Sequence, residues 1–244
     1  MSEEPLLDGR RFESLFSNAR VAESMRAISP GAFDAAARFW RVPFSSQHLT
    51  LRMKELVLFA MHATATSLNL DGMRRHAKRV ISAGGTPQDL VDVLITIAGI
   101  ANHALYASVP ILEEEWKAAG KGDEGAVLDE ALTAETKQRF IQIRKFWNAD
   151  RDSIARQMPE YFSALTDVST ESWRTGPLTR KEREFICISV DCTVTHSYPS
   201  GLRLHIRNAI AEGATKAEII EIFQLAGVLG LEGYVLTAEV LEET

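Results

Sequence analysis

The sequence predicts an all-α fold: two similar helical units in tandem, forming one compact helical assembly. Three observations predict it. The chain matches itself at an offset of 129 positions, the distance from His76 to His205. Its long apolar stretches lack the alternation of strands and run on without Gly or Pro. Helix start and stop signals recur at the same offset.

The offset pairs Leu49, Thr50, Glu55, Thr64, Thr66, Gly72, Arg74, His76, Ile81, Gly84 and Thr86 with identical residues. Their partners are Leu178, Thr179, Glu184, Thr193, Thr195, Gly201, Arg203, His205, Ile210, Gly213 and Thr215, with no gap. Pro30 and Phe33 fall likewise on Pro159 and Phe162, so the expected units are residues 12–118 and 141–241, joined by a linker at 119–140. In each unit a buried helix comes first, from Thr50 to about Leu68 and from Thr179 to about Val194. The helix carrying the histidine follows, closed by Gly84 or Gly213 as a C-terminal glycine. Thr86 with Pro87 and Asp89 reads as N-cap, N1 and N3, and Thr215 with Glu218 has capping-box spacing. The helices they open, expected over 87–108 and 216–240, are rich in small residues that permit close backbone approach.

The formal charge of −6 argues against a general nucleic-acid binder. No uninterrupted apolar run approaches the roughly 20 residues of a membrane span. The opening MSEEPLLDGR lacks the basic and apolar regions of a signal peptide, so a cytoplasmic protein with no membrane partner is expected. Cys187 and Cys192 are too few for a disulfide framework and read as small buried residues. GKGDEG, from Gly120 to Gly125, spells a dinucleotide fingerprint. A helix-like run precedes it where a strand is required, and Asp123 and Glu124 would repel phosphate.

Chemistry enters through a polar stripe on each buried helix. Spaced at 100° per residue, Glu55, His62 and Thr66 fall within about 40° of one another, as do Glu184, Asp191 and Thr195. A carboxylate on a helix apolar nearly all round must be paired or hydrogen-bonded, or take up a proton. The following helix offers the partner, because His76 and His205 sit at the edge of its apolar stripe. Packing the two together brings Glu55 near His76 and Glu184 near His205, a buried pair suited to proton transfer near neutral pH. The same contact could instead tie two helices together. Arg79 lies close in angle to His76 and is a candidate for holding an anion, with Asn208 as its counterpart.

The string LTRKEREFICISVDCTVTHSYPSGLRLHIRNAIAEGATKAEIIEIF resembles the carboxymuconolactone decarboxylase family of the alkylhydroperoxidase-D-like superfamily. The resemblance rests on Arg183-Glu184, on L-R-x-H-I-R-x-A around His205, and on G-x-T-x-x-E-I. Residues 49–94 form a weaker copy. It implies an all-helical fold that assembles into rings, hence a homodimer or homotrimer of this tandem chain. It also implies a cofactor-independent site that removes CO2 from a small carboxylated lactone or ring acid, with His205 as the acid and Glu184 orienting it or stabilising its protonated form. Glu184 and His205 lie 21 positions apart, about two more than in such decarboxylases, so CTVTHSYPSG holds a longer turn. That turn brings His196 to the catalytic candidates. Asp191, Thr195, Tyr198 and His62 become candidate substrate-binding residues, and Glu55 with His76 a second catalytic pair.

The peroxidase branch requires a C-x-x-C that neither unit has. A carboxylate-bridged metal bundle would need Glu-x-x-His pairs, also missing, so no metal and no cofactor are expected. The expected partner is a small-molecule substrate. The alternative from another class is a non-catalytic helical oligomer or ligand-binding protein with structural Glu–His pairs.

Overall fold

The computed structural model describes residues 8–122 and 129–242. The N-terminal stretch through residue 7 and the last three positions of GKGDEG lie outside the described residues.

Helices account for the architecture, and among the described residues there is no strand. The first half holds a 3-10 turn (Phe12–Leu15), α1 (Ala19–Ile28), α2 (Pro30–Ser45), α3 (Leu51–Ala63), α4 (Leu70–Ser82), α5 (Pro87–Ile100) and α6 (His103–Ala118). The second holds α7 (Glu130–Arg144), α8 (Asp150–Gln157), α9 (Pro159–Thr175), α10 (Arg180–Asp191), α11 (Pro199–Ala211), α12 (Lys216–Val228) and α13 (Glu232–Glu242). The starts of α2, α3, α4, α5 and α6 precede those of α9, α10, α11, α12 and α13 by the same 129 positions. Capping explains this shared punctuation. Thr86 and Thr215 both form complete capping boxes, with Asp89 and Glu218. Thr50 accepts from the Met53 amide at α3, and Thr179 forms a box with Glu182 at α10. Gly84 and Gly213 end α4 and α11 at φ of +88° and +84°, a region open to glycine at little cost.

Three expectations change. The buried helices stop at Ala63 and Asp191, short of Leu68 and Val194: Thr64 already takes an extended backbone (ψ 152°), residues 192–196 form a turn, and Leu68 and Ser197 close the two turns at positive φ (45° and 38°). Thr66 and Thr195 therefore leave the helical stripe. The helices expected over 87–108 and 216–240 each break, at Ala101–Asn102 and at the 3-10 turn Leu229–Leu231. The break redirects the chain so that α6 and α13 start at polar residues, His103 and Glu232. Residues 119–140, read as a linker, carry α7 from Glu130 on, and its Thr136 and Phe140 are buried where it packs on α9.

Helices α3 and α10 form the centre. Every residue from Met53 to Ala63 and from Arg183 to Asp191 is buried. Leu56, Leu58, Ile186 and Ile188 have no exposed surface, and each such side chain contributes roughly 1.5–3 kcal/mol. The halves interlock: α9 packs on α5, α10 on α3 and α5, and α12 on α2 and α3. Two buried ion pairs cross between them, Arg183–Asp92 at 2.7 Å and Lys54–Glu221 at 2.6 Å. Both pairs occupy positions related by the 129-residue offset. Asp92 also accepts from the Leu178 amide and Glu221 from the Leu49 amide, so each carboxylate closes the same loop in the opposite half.

The helical runs Pro87–Ala118 and Lys216–Glu242 contain windows of mean hydropathy 1.5 and 1.6, apolar and long enough by composition to cross a membrane. That revises the sequence expectation, which counted only uninterrupted apolar runs. In this structure the buried rows of α5 (Val93, Ile97, Ile100) and α12 (Ile222, Leu225, Val228) belong to helices packed on α3, α9 and α10 and on α2, α3 and α10 respectively.

Candidate functional site

Both Glu–His pairs foreseen from the sequence form. Glu55 Oε2 lies 2.7 Å from His76 Nδ1, and Glu184 Oε2 lies 2.6 Å from His205 Nδ1. The reason is helix geometry: α3 packs on α4 and α10 on α11, and the turn between each pair fixes the register. Gly72 and Gly201 allow the close approach. A Cβ at Gly72 would stand 2.0 Å from the His62 ring, and one at Gly201 2.5 Å from an Asp191 carboxylate oxygen.

The neighbours separate the two pairs. Around Glu55 and His76 the chain is closed. The Gly9 carbonyl accepts from Trp40 Nε1 at 2.8 Å, and a Cβ at Gly9 would lie 2.3 Å from Glu55 Oε1. Both Glu55 and His76 are fully buried. Arg79, the anion-holding candidate, is 2% exposed and donates to the Ser14 carbonyl and hydroxyl at 2.7 Å. Burial raises the Glu55 carboxyl to about 7 and holds His76 well below its usual range. Burial thus pushes both partners toward their neutral forms, and the pair is sealed.

The second pair has another setting. Asn208 donates to Glu184 Oε1 at 3.2 Å, and Arg144 Nη2 stands 3.7 Å from the same oxygen. Burial would raise the Glu184 carboxyl, but His205 and Arg144 hold it below its ordinary value. Burial likewise opposes a charged His205 ring, yet Cys187 and Glu184 bring it up to about 10. This pair is an ion pair. It borders a cavity of about 30 Å³, room for a water or two, lined by His103, Tyr106, Arg144, Arg151, Cys187 and His205 among others. Arg144 lies over the Trp173 ring at 3.7 Å, and its Nε and Nη2 lack hydrogen-bond partners. Arg151 donates to the Tyr106 hydroxyl.

Of the remaining candidates, Asp191 ends α10 at 1% exposure, between His103 and His196. Tyr198 stacks on His103 with ring centres 4.2 Å apart. Thr195, His196, Tyr198 and His103 line a second pocket of about 320 Å³. His62 is not brought to this cluster. Its Nε2 lies 3.2 Å from Glu232 Oε1 in the first half's site, and it borders a separate cavity of about 480 Å³.

Sequence reasoning missed His103, Tyr106, Arg144 and Arg151. The missed signal was a non-identity: His103 pairs at the 129-position offset with Glu232, as Asp191 does with His62. The acid and the imidazole have exchanged places, and a search for identical residues passes over such a pair. Each comes from the opposite half, His103 from α6 and Glu232 from α13.

Comparison with known proteins agrees with the helical fold. The model of the family described as "Carboxymuconolactone decarboxylase family" matches residues 159–238. A crystal structure from Burkholderia xenovorans LB400, described as a "putative gamma-carboxymuconolactone decarboxylase subunit", superposes with a TM-score of 0.87 at 31% identity. The alignment covers 100% of this chain and 97% of that one. No curated protein sequence matches the chain.

Proposed function

The chain belongs to the carboxymuconolactone decarboxylase family, and on that premise we propose that it is a carboxy-lyase acting on a small carboxylated lactone or ring acid. Its site is the Glu184–His205 pair, and it works by side-chain acid–base chemistry without an organic cofactor. One observation carries the reading. His205, 2.6 Å from Glu184, lines a small cavity with Arg144, Arg151 and His103, and His103 also lines the neighbouring 320 Å³ pocket, which has room for a small ring acid.

The chemistry follows from these groups. The bond to the departing carboxylate breaks, CO2 leaves, and its electron pair remains on the ring as a dienolate. Arg144 and Arg151 are placed to stabilise that developing negative charge in a site shielded from water. His205 delivers a proton to the carbon through Nε2 while Glu184 holds Nδ1, which fixes the ring's orientation. Solvent then returns the proton to His205. The closure of Glu55 and His76 under Gly9 supports a structural part for the first pair.

The test follows CO2 release and ultraviolet absorbance with a panel of carboxylated muconolactones and related ring acids. Wild type turns over at least one, and His205→Asn, still folded by circular dichroism, loses about 10²–10⁴-fold in kcat. His76→Asn keeps turnover. Full activity in His205→Asn removes that residue from the mechanism. No turnover by wild type on any compound favours the non-catalytic reading.

A further inference from the structure

Next to the Glu184–His205 pair, three side chains from separate elements bring donor atoms to one point. His103 Nδ1 at the start of α6 lies 3.0 Å from Asp191 Oδ1 at the end of α10. His196 Nε2, in the turn that follows, lies 3.3 Å from the same oxygen, and the two ring nitrogens are 3.2 Å apart. Hydrogen bonding accounts for one edge of this triangle, between the two imidazoles, and leaves Asp191 out. Both Asp191 oxygens are buried and neither accepts a properly directed hydrogen bond. Two imidazole nitrogens facing each other at that distance have room for one proton between them. Edges of 3.0–3.3 Å fit another occupant, since tetrahedral bonds of about 2.0–2.1 Å to zinc put neighbouring ligand atoms about 3.3 Å apart.

The first half supplies the comparison. There the exchanged pair His62–Glu232 is kept at 3.2 Å, and the carboxylate also receives Arg75 Nη2 at 2.5 Å. The residue 129 positions after Arg75 is Leu204. Among the described residues, Asp191 makes ion-pair contacts only with His103, His196 and His205. One half thus brings its own guanidinium to the buried carboxylate, and the other does not.

We propose that a divalent transition-metal cation of the zinc class binds in the triangle of His103, Asp191 and His196, where the first half has the Arg75 guanidinium. Two imidazoles and a carboxylate are ligands such ions accept. His205 Nε2, 4.0 Å from Asp191 Oδ2, stands at the edge of the site. Three protein ligands leave a position open. The 320 Å³ pocket bordered by His103, Thr195, His196 and Tyr198 gives a small oxygen-bearing molecule access to it. This departs from the sequence expectation of no metal, which looked for ligands spaced along single helices. Here one ligand crosses over from the other half. The proposal does not rest on the lyase reading, because metal binding is measured without turnover.

The test strips the full-length chain with EDTA and titrates it with ZnCl2 by calorimetry, then with Co2+ by visible absorption. One Zn2+ per chain is expected, together with cobalt bands of a low-coordinate nitrogen–oxygen site. His103→Gln and Asp191→Asn weaken binding at least tenfold. Leu204→Arg places an internal cation against Asp191 and does the same in a folded protein, so the outcome does not depend on the ligand variants folding. Glu232→Gln leaves the stoichiometry at one. Absence of Zn2+ uptake by wild type, or uptake unchanged in Leu204→Arg and His103→Gln alike, overturns the proposal and leaves the triangle as a proton-sharing network.

Discussion

Glu55 and Glu184 hold the same place beside a histidine, and their neighbours alone set their charge. Glu55 sits under the Gly9 backbone and is driven toward neutrality, while Glu184 has Asn208, Arg144 and a protonated His205 around it. A third buried carboxylate shows the opposite extreme. Burial would raise Glu232, but the His62 contact and Arg75 bring it from 4.5 down to about 2, and Asn69 donates to its other oxygen at 3.1 Å. A carboxyl with a depressed folded pKa adds stability above its unfolded value, and that stability is lost as pH falls through the folded one. Glu232 therefore contributes on the order of 2–3 kcal/mol at neutral pH, declining below about pH 4.5. Thermal melts of wild type and Glu232→Gln are expected to differ most near pH 7, with the gap narrowing steadily from about pH 4.5 down to about pH 2. A constant gap across that range would contradict the assignment. The sequence disclosed both Glu–His pairs because helical spacing places those residues on facing stripes. It withheld Arg144 and Arg151, whose approach depends on how α7 and α8 dock.

At the scale of elements, the buried helices end where the backbone turns, and the apolar pattern alone did not mark those ends. Thr64 and Thr193 hydroxyls bond back to the Met61 and Val190 carbonyls, and Leu68 and Ser197 take positive φ two residues before α4 and α11 begin. These turns aim Asp191, His196 and Tyr198 at His103. Buried ion pairs then lock helix to helix. Removing one partner of such a pair leaves an uncompensated charge and costs about 3–5 kcal/mol, whereas an apolar pair of similar volume is often tolerated. Arg183→Met or Asp92→Leu alone should lower stability by that amount in urea melts, and the double variant should recover most of it. A double variant as unstable as the sum of the two would instead mean that Asp92 acts chiefly through the Leu178 amide it accepts from at 2.9 Å.

At the scale of the molecule, neither half completes its own site. His103 crosses into the second and Glu232 into the first, and Lys54–Glu221 and Arg183–Asp92 tie the halves at their centre. Unfolding is expected as one cooperative transition. Variants keeping a single tryptophan, Trp40 in the first half or Trp173 in the second, should melt at the same temperature by fluorescence; separate transitions would mean that the halves are energetically independent. By itself the sequence determined the helical class, the 129-position register and the two Glu–His pairs, since each depends on local spacing and capping. Only the tertiary structure decided which pair borders a cavity, which is sealed, and which residues from the opposite half join them. Those outcomes turn on contacts between residues as distant as His103 and Asp191, and no local periodicity encodes how separate helices dock.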